Sequence, residues 1–315
     1  MLKTKKMMIL LGLGTSLFAS ELQYGSGTFG MEGGFLGLTG RFTTDIESFS
    51  LADRHSNFGG KYFYSYDFTW YDSTKLRTAQ HTYNEKASAV NGMAPIESSP
   101  FSVPEMEYRV KGLDANIKIG YDVIHQDADN FLGLGLLVGL SMPWIDASNG
   151  DNPTDNTAVP SFDFYTANLG TGADILKLFE KSQTEIMTYK IGPTINMQKS
   201  LIAKKLSLYA LASYAYQTGY IKNDYANSDF TVNGTFQEYN IGLYFTPFTE
   251  TYKWGWLSIS PRVYATIGYK YASWDLDEMV IDISGAKLSS DILDPLAMKF
   301  GMDTSVGYVG IGYSF

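Results

Sequence analysis

Cysteine is absent from this chain and histidine is scarce, and both facts narrow its chemistry. The 315 residues include no cysteine and three histidines. Without cysteine there is no disulfide framework, no lipid-anchored cysteine and no thiol nucleophile. Histidine is the most common general base in enzymes, so three histidines leave few candidates for a catalytic centre.

Long apolar runs are also missing after the first 20 residues, which excludes a transmembrane helix in the rest of the chain. Residues 1–20 open with Lys3, Lys5 and Lys6, continue through the apolar run 7–17 and end on small residues. That run of about 11 residues is shorter than the roughly 20 that a spanning helix needs. This three-part order is typical of a secretory signal peptide. The sequence predicts a cleaved signal peptide over 1–20 and one domain over 21–315.

Basic clusters are the third absence. The chain has 24 Lys and Arg against 33 Asp and Glu, and removal of the three leader lysines takes the formal net charge from −9 to −12. Binding of nucleic acid requires a basic patch, and no segment supplies one. We therefore expect no nucleic-acid partner.

Aromatic residues are abundant, at 15% with 23 tyrosines, and they alternate with polar residues. Between Leu113 and Val123 every second residue is apolar, and Asp114, Asn116 and Lys118 occupy the opposite face. Each such apolar set covers about 11 residues, the length of a tilted membrane strand. A secreted soluble β-sandwich would seldom expose such aromatic faces to water. The pattern favours an all-β transmembrane antiparallel barrel.

Connection lengths predict the orientation and the number of strands. The connections near 74–104, 145–183 and 273–299 are long and alternate with short turns, so the rule for outer-membrane barrels makes them extracellular loops. Eight strands account for the chain from residue 58 onward. Residues 24–52 add either a hairpin, which gives the preferred ten strands, or a segment packed inside an eight-stranded barrel.

The C-terminus resembles a known signal. Tyr308, Gly310, Tyr313 and Phe315 lie in a final strand whose outward row includes Val309 and Ile311. This stretch resembles the assembly signal of bacterial outer-membrane β-barrel proteins. The resemblance implies export, insertion by the barrel-assembly machinery, and residence in the outer membrane among its lipids and lipopolysaccharide.

The sequence offers only weak candidates for catalytic or metal-binding residues. His55 and Ser56 are adjacent, so on a strand they point to opposite faces and cannot share a proton. His81 lacks the paired aspartates of a surface protease that resembles the omptins, and His125 lies beside a predicted turn. The acidic stretch 146–152 has no glutamate at the twelfth position of a calcium loop. We expect no enzyme activity, no metal site and no cofactor.

The inward faces of the predicted strands carry the main functional information. They include four acids and four bases: Asp67, Asp114, Lys118, Asp122, Lys190, Glu238, Arg262 and Lys270. Mixed signs favour pairing within a closed polar lumen, which predicts a monomeric structural or surface-interaction protein. The alternative is a narrow, porin-like passive channel whose constriction is lined by Lys118, Lys190, Arg262 and Asp114.

Overall fold

The computed structural model describes residues 20–35, 38–59, 61–73, 76–78, 82–83, 101–102, 106–124, 130–148, 181–203, 205–223, 228–248, 250–254, 257–283, 286–288 and 299–313. Within these residues all regular structure is β-strand. They include no helix long and apolar enough to cross a membrane.

Ten long antiparallel strands form the wall of a barrel. They are β1 (Ser20–Phe35), β2 (Leu38–Gly59), β3 (Tyr62–Ser73), β4 (Met106–Asp122), β5 (Phe131–Ser148), β6 (Lys181–Ile202), β7 (Leu206–Asn223), β8 (Ser228–Phe245), β9 (Val263–Ile283) and β10 (Lys299–Tyr313). Short strands in the connections are Leu76–Thr78, Thr82–Tyr83, Phe101–Ser102, Tyr252–Trp254, Leu257–Ile259 and Ala286–Leu288.

The barrel is closed by its first and last strands. Each strand pairs with its neighbours in chain order, and β1 pairs with β10 from Ser20–Tyr313 to Gly34–Lys299. Because β1 is hydrogen-bonded to β2 on its other side, the N-terminal segment belongs to the wall. This confirms the prediction of ten strands, and the eight-stranded alternative is wrong.

Strand register fixes the tilt of the barrel wall. The paired residues lead from Phe131 on β5 once around the barrel to Pro143 on the same strand, twelve residues further along. Such a stagger requires the strands to tilt by about 35–45° to the barrel axis. In a barrel of this size side chains largely fill the interior.

Apolar side chains cover the outside of the wall. Val138 is 53% exposed and Val309 54% exposed, while the inward residues beside them, Leu137 and Tyr308, are buried. This apolar exterior with alternating inward burial is the pattern of a barrel solvated by lipid. The chain is a membrane-spanning β-barrel.

The two ends of the barrel differ. Ser20 and Tyr313, the first and last residues of the barrel wall, and the connections at 60–61, 123–130, 203–205 and 246–262 lie at one end, called the terminal end. The opposite end, called the long-connection end, carries the segments 74–105, 149–180 and 284–298 between strands. The strands β5 and β9 continue through Ser148 and Ile283, into stretches that the sequence assigns to loops.

Candidate functional site

Six inward side chains meet in a charged layer across the middle of the lumen. Alternation along the strands directs them inward, and each is largely or wholly buried. The layer consists of Asp67 on β3, Asp114 and Lys118 on β4, Lys190 on β6, Glu238 on β8 and Lys270 on β9.

Ion pairs join these six groups without an excess of either sign. Lys118 Nζ lies 3.0 Å from Glu238 Oε2, and Lys270 Nζ lies 2.6 Å from Asp67 Oδ2 and 3.4 Å from Glu238 Oε1. Lys190 Nζ donates to Asp114 Oδ1 over 2.5 Å. Three lysines are thus matched by three carboxylates, which offsets the large cost of removing each charge from water.

The Lys190–Asp114 pair is enclosed by further polar and aromatic partners. Asp114 also accepts hydrogen bonds from the Ser141 hydroxyl and from Asn116 Nδ2. Trp274 Nε1 donates to Ser141 Oγ over 2.8 Å. Lys190 Nζ lies 3.8 Å from the centre of the Phe236 ring, a cation–π geometry. Hydrogen bonds to Asp114 and the Phe236 ring beside Lys190 therefore hold this ion pair in place.

Asp122 and Arg262 lie apart from the charged layer. Asp122 Oδ1 accepts hydrogen bonds from the backbone N–H groups of Ile124 and Leu132 at the β4–β5 connection. Arg262 is exposed in the turn that precedes β9, so it lines no constriction. Its prediction as an inward residue assumed a strand through Pro261, but proline lacks an N–H donor and the strand begins at Val263.

An apolar layer fills the lumen from the charged layer toward the long-connection end. On β9, Lys270 is followed along the same inward row by Ala272, Trp274 and Leu276, whereas on other strands buried polar residues such as Thr188 and Gln217 lie among the apolar ones. The layer comprises Phe29, Met31, Ile46, Tyr71, Val110, Leu137, Ile145, Ile186, Ala215, Ile221, Val232, Phe236, Ala272, Trp274, Leu276, Met302 and Val306.

Sequence reasoning missed this layer because it treated the lumen as polar. The signal was present, since these residues have the same inward parity as the charged ones. Ile186 is two positions from Thr188 and four from Lys190, all on the inward face of β6. An apolar residue on the polar row is the feature that could have revealed the layer.

Aromatic and amide groups fill the lumen toward the terminal end. The hydroxyl groups of Tyr209 and Tyr308 are hydrogen-bonded to each other, and Tyr308 also donates to Asn240 Oδ1 over 2.7 Å. A Cβ at Gly242 would collide with Tyr209, and a Cβ at Gly268 would collide with both tyrosines. Glycine at these two positions makes room for the tyrosine pair.

Two small cavities flank the charged layer. One, of about 30 Å³, is lined by residues that include Asp114, Lys270 and Trp274. The other, of about 40 Å³, is lined by residues that include Asp67, Lys118 and Asn196. Cavities of this size hold only a few water molecules, because one water needs about 10–15 Å³ by this measure.

In the part of the chain that the structure describes, no three His, Cys, Asp or Glu side chains are grouped so that they could hold a metal ion. His81 and His125 lie outside the described residues, as does Phe315 of the assembly signal. Of the other assembly-signal residues, Tyr308 faces the lumen and is buried, Gly310 lies beside Glu21 and Thr266, and Tyr313 ends β10.

No family model and no curated protein matches the sequence. Solved structures with a similar fold include the outer membrane protease OmpT from Escherichia coli, with a TM-score of 0.49 and 10% identity over 96% of this chain and 99% of that one. The translocator domain of the autotransporter NalP from Neisseria meningitidis gives a TM-score of 0.35 and 9% identity over 99% and 95%.

The Pseudomonas putida toluene transporter TodX gives a TM-score of 0.25 and 9% identity over 94% of this chain and 90% of that one. At such identities a likeness concerns the fold alone, and it is the pairing of the ten strands that shows the closed barrel. These structural neighbours are bacterial outer-membrane proteins, and this chain is a closed, ten-stranded, membrane-spanning β-barrel.

Proposed function

We propose that the protein is a closed, non-conducting barrel of the bacterial outer membrane that acts as a structural or surface-interaction protein. It is exported with the help of residues 1–20, inserted by the barrel-assembly machinery, and stands as a monomer among outer-membrane lipids and lipopolysaccharide. The long-connection end faces the cell exterior, as the rule of short periplasmic turns requires.

The filled lumen is the observation that supports this proposal. The charged layer, which has no net charge, spans the barrel. The apolar layer lies next to it on the side of the long-connection end. A solute pore needs an aqueous path and a lining that favours the solute. The two cavities beside the charged layer measure about 30 and 40 Å³, and neither could hold a solute larger than a few water molecules.

Extended strands support a role at the surface. A membrane strand needs about 9–11 residues, whereas β2 and β6 have 22 residues each. The ion pairs Arg109–Asp72 and Lys111–Asp146 join β3, β4 and β5 on the outer surface near the long-connection end. Part of the wall therefore projects beyond the lipid and carries the long segments with it.

Planar-bilayer recording tests the closed state. We expect the refolded protein without residues 1–20 to be silent, and the Arg262→Ala variant to be equally silent because Arg262 lies outside the lumen. Discrete conductance steps in the wild type that change in a Lys270→Ala variant would contradict the proposal and establish the narrow channel.

A peptide tag inserted within 149–180 should be detected by antibody on intact cells; detection only after permeabilisation would reverse the orientation.

The narrow-channel alternative has one specific observation in its favour. The Lys270–Asp67 ion pair lies between the two cavities, and Lys270 lies within reach of Asp67, Glu238 and the Thr69 hydroxyl. Lys270 lines the first cavity and Asp67 the second, so a path between the cavities would pass these two side chains. A channel would still require the apolar layer to open.

A further inference from the structure

The apolar belt on the outside of the barrel differs in height from one side to the other. On β5 seven successive outward residues are apolar: Leu132, Leu134, Leu136, Val138, Leu140, Met142 and Trp144. Among the residues whose side chains the structure describes, β10 has three such residues, Val309, Ile311 and Tyr313. β1 and β2 have two each, Leu22 and Tyr24 on β1 and Phe49 and Leu51 on β2.

Polar and small side chains replace the missing apolar ones. We call this surface the short-belt face: Gly307, Ser305 and Asp303 on β10, Ser26 and Thr28 on β1, and Glu47 and Asp45 on β2. All seven have outward parity, and Gly307, Ser26, Glu47 and Asp45 are exposed. The three ionisable members are acidic.

The register shows which residues on the two sides are at the same height. The paired residues lead from Val138 on β5 to Gly301 on β10, half-way around the barrel. Half of the twelve-residue stagger is six residues, so Gly307 on β10 is level with Val138. It follows that Ser305 is level with Leu140, and Asp303 with Met142.

The same correction places the lower edges of the two belts at one level. Tyr313 is six residues below Gly307, and Leu132 is six residues below Val138, so both belts begin at the same height. The difference is confined to the upper edge, near the long-connection end. A tilt of the whole barrel would have moved both edges together, so tilt does not account for it.

Belt heights follow from strand geometry. With a rise of about 3.3 Å per residue and a tilt of about 40°, the β5 belt is about 30 Å high and the β10 belt about 10 Å. A typical hydrocarbon core is about 30 Å thick. On β5 the belt matches the bilayer, whereas on β10 hydrocarbon of ordinary thickness would cover Ser305 and Asp303.

Covering the short-belt face with hydrocarbon is unfavourable. Charged residues on the lipid face of a barrel are destabilising in proportion to their depth, and this face has three carboxylates. A bilayer accommodates a short hydrophobic surface by becoming thinner beside it. A second copy docked through the same face would bring acidic groups against acidic groups, which is repulsive.

We propose that the short-belt face thins the membrane locally, so that water and lipid headgroups descend along β10, β1 and β2 to the level of Ser305. The thinning affects the leaflet at the long-connection end. That this is the outer leaflet rests on the orientation given in the proposed function; the thinning itself depends only on the membrane-spanning fold.

Single-cysteine labelling tests this directly, because the natural chain has no cysteine. The matched variants are Ser305→Cys and Leu140→Cys, which are at the same height on opposite sides. In dioleoyl-phosphatidylcholine vesicles, a membrane-impermeant maleimide should label Ser305→Cys at least about tenfold faster, because the reacting thiolate forms only in contact with water. The pair Asp303→Cys and Met142→Cys should behave in the same way.

Each variant is compared only after a heat-dependent shift in gel mobility shows that it has folded. Equal slow labelling at Ser305→Cys and Leu140→Cys would overturn the proposal, whether lipid chains or another copy cover Ser305. Equal fast labelling would overturn it too, because the bilayer would then be thin on both sides. A conducting wild type would end the closed-barrel proposal without altering this contrast.

Discussion

At the residue scale, the arrangement of the charged layer depends on contacts that no local pattern contains. Alternation on β4 and β6 indicates that Asp114 and Lys190 both face inward. Their ion pair joins residues 76 positions apart, and its formation depends on the stagger and the tilt of the strands. Sequence alone can therefore predict the face of a side chain, but the partner is decided by register around the whole barrel.

The Lys190–Asp114 pair gives a prediction about buried charge. Lys190→Met should destabilise the barrel by about 3–5 kcal/mol, because Asp114 is then left buried without its cation. The double variant Lys190→Met with Asp114→Leu should recover most of that loss. Urea unfolding in lipid, followed by tryptophan fluorescence, measures both. If the double variant is no more stable than Lys190→Met alone, the pairing argument fails.

Glycines in the wall provide a second prediction with a control in the same barrel. Gly242→Ala should lower the free energy of unfolding by about 1–3 kcal/mol, because its methyl group would overlap the Tyr209 ring and hydroxyl. Gly307→Ala should change it by less than about 0.5 kcal/mol, since its nearest contact would be 3.9 Å away, at Ser26 O. Equal effects in the same unfolding assay would show that strand propensity, rather than the tyrosine pair, sets the cost.

At the element scale, alternation and connection length were enough to predict ten antiparallel strands. The N-terminal hairpin was predicted within residues 24–52, and β1 and β2 extend this to Ser20 and Gly59. The ends of several strands near the long-connection end were assigned to loops because their outward residues, such as Asp146, are polar. Beyond the lipid, polar residues are compatible with a strand, so hydropathy no longer marks where the strand ends.

Pro193 on β6 offers a prediction at this scale. Pairing between β6 and β7 is continuous through Thr194 and Ser213, is interrupted at Gly192 and Pro193, and resumes at Ile191 and Tyr216. Proline lacks the N–H group that a ladder needs. Pro193→Val should stabilise the barrel by about 0.5–1.5 kcal/mol if it restores one hydrogen bond. Ile191→Val, on the same outward row, is the control and should give no gain; a gain in both would implicate side-chain packing instead.

At the scale of the whole molecule, the charged and apolar layers close the barrel in series. Each layer spans the lumen at a different height, so opening one leaves the other intact. Phe236→Ala with Trp274→Ala removes the largest side chains that adjoin Lys190 in the apolar layer, and Asp67→Ser with Lys270→Ser removes a pair of the charged layer without leaving a lone charge.

The serial arrangement predicts that neither pair of substitutions alone yields conductance, whereas the four together do. Shortening the aromatic side chains alone still leaves six paired charged groups across the lumen, and neutralising Asp67 and Lys270 alone still leaves an apolar layer that excludes water. Planar-bilayer recordings of variants that keep their heat-dependent gel shift provide the measurement. Conductance in either double variant would show that a single layer seals the barrel and would locate it. Silence in the quadruple variant would show that other side chains seal the lumen, because the wall itself is continuous from β1 to β10.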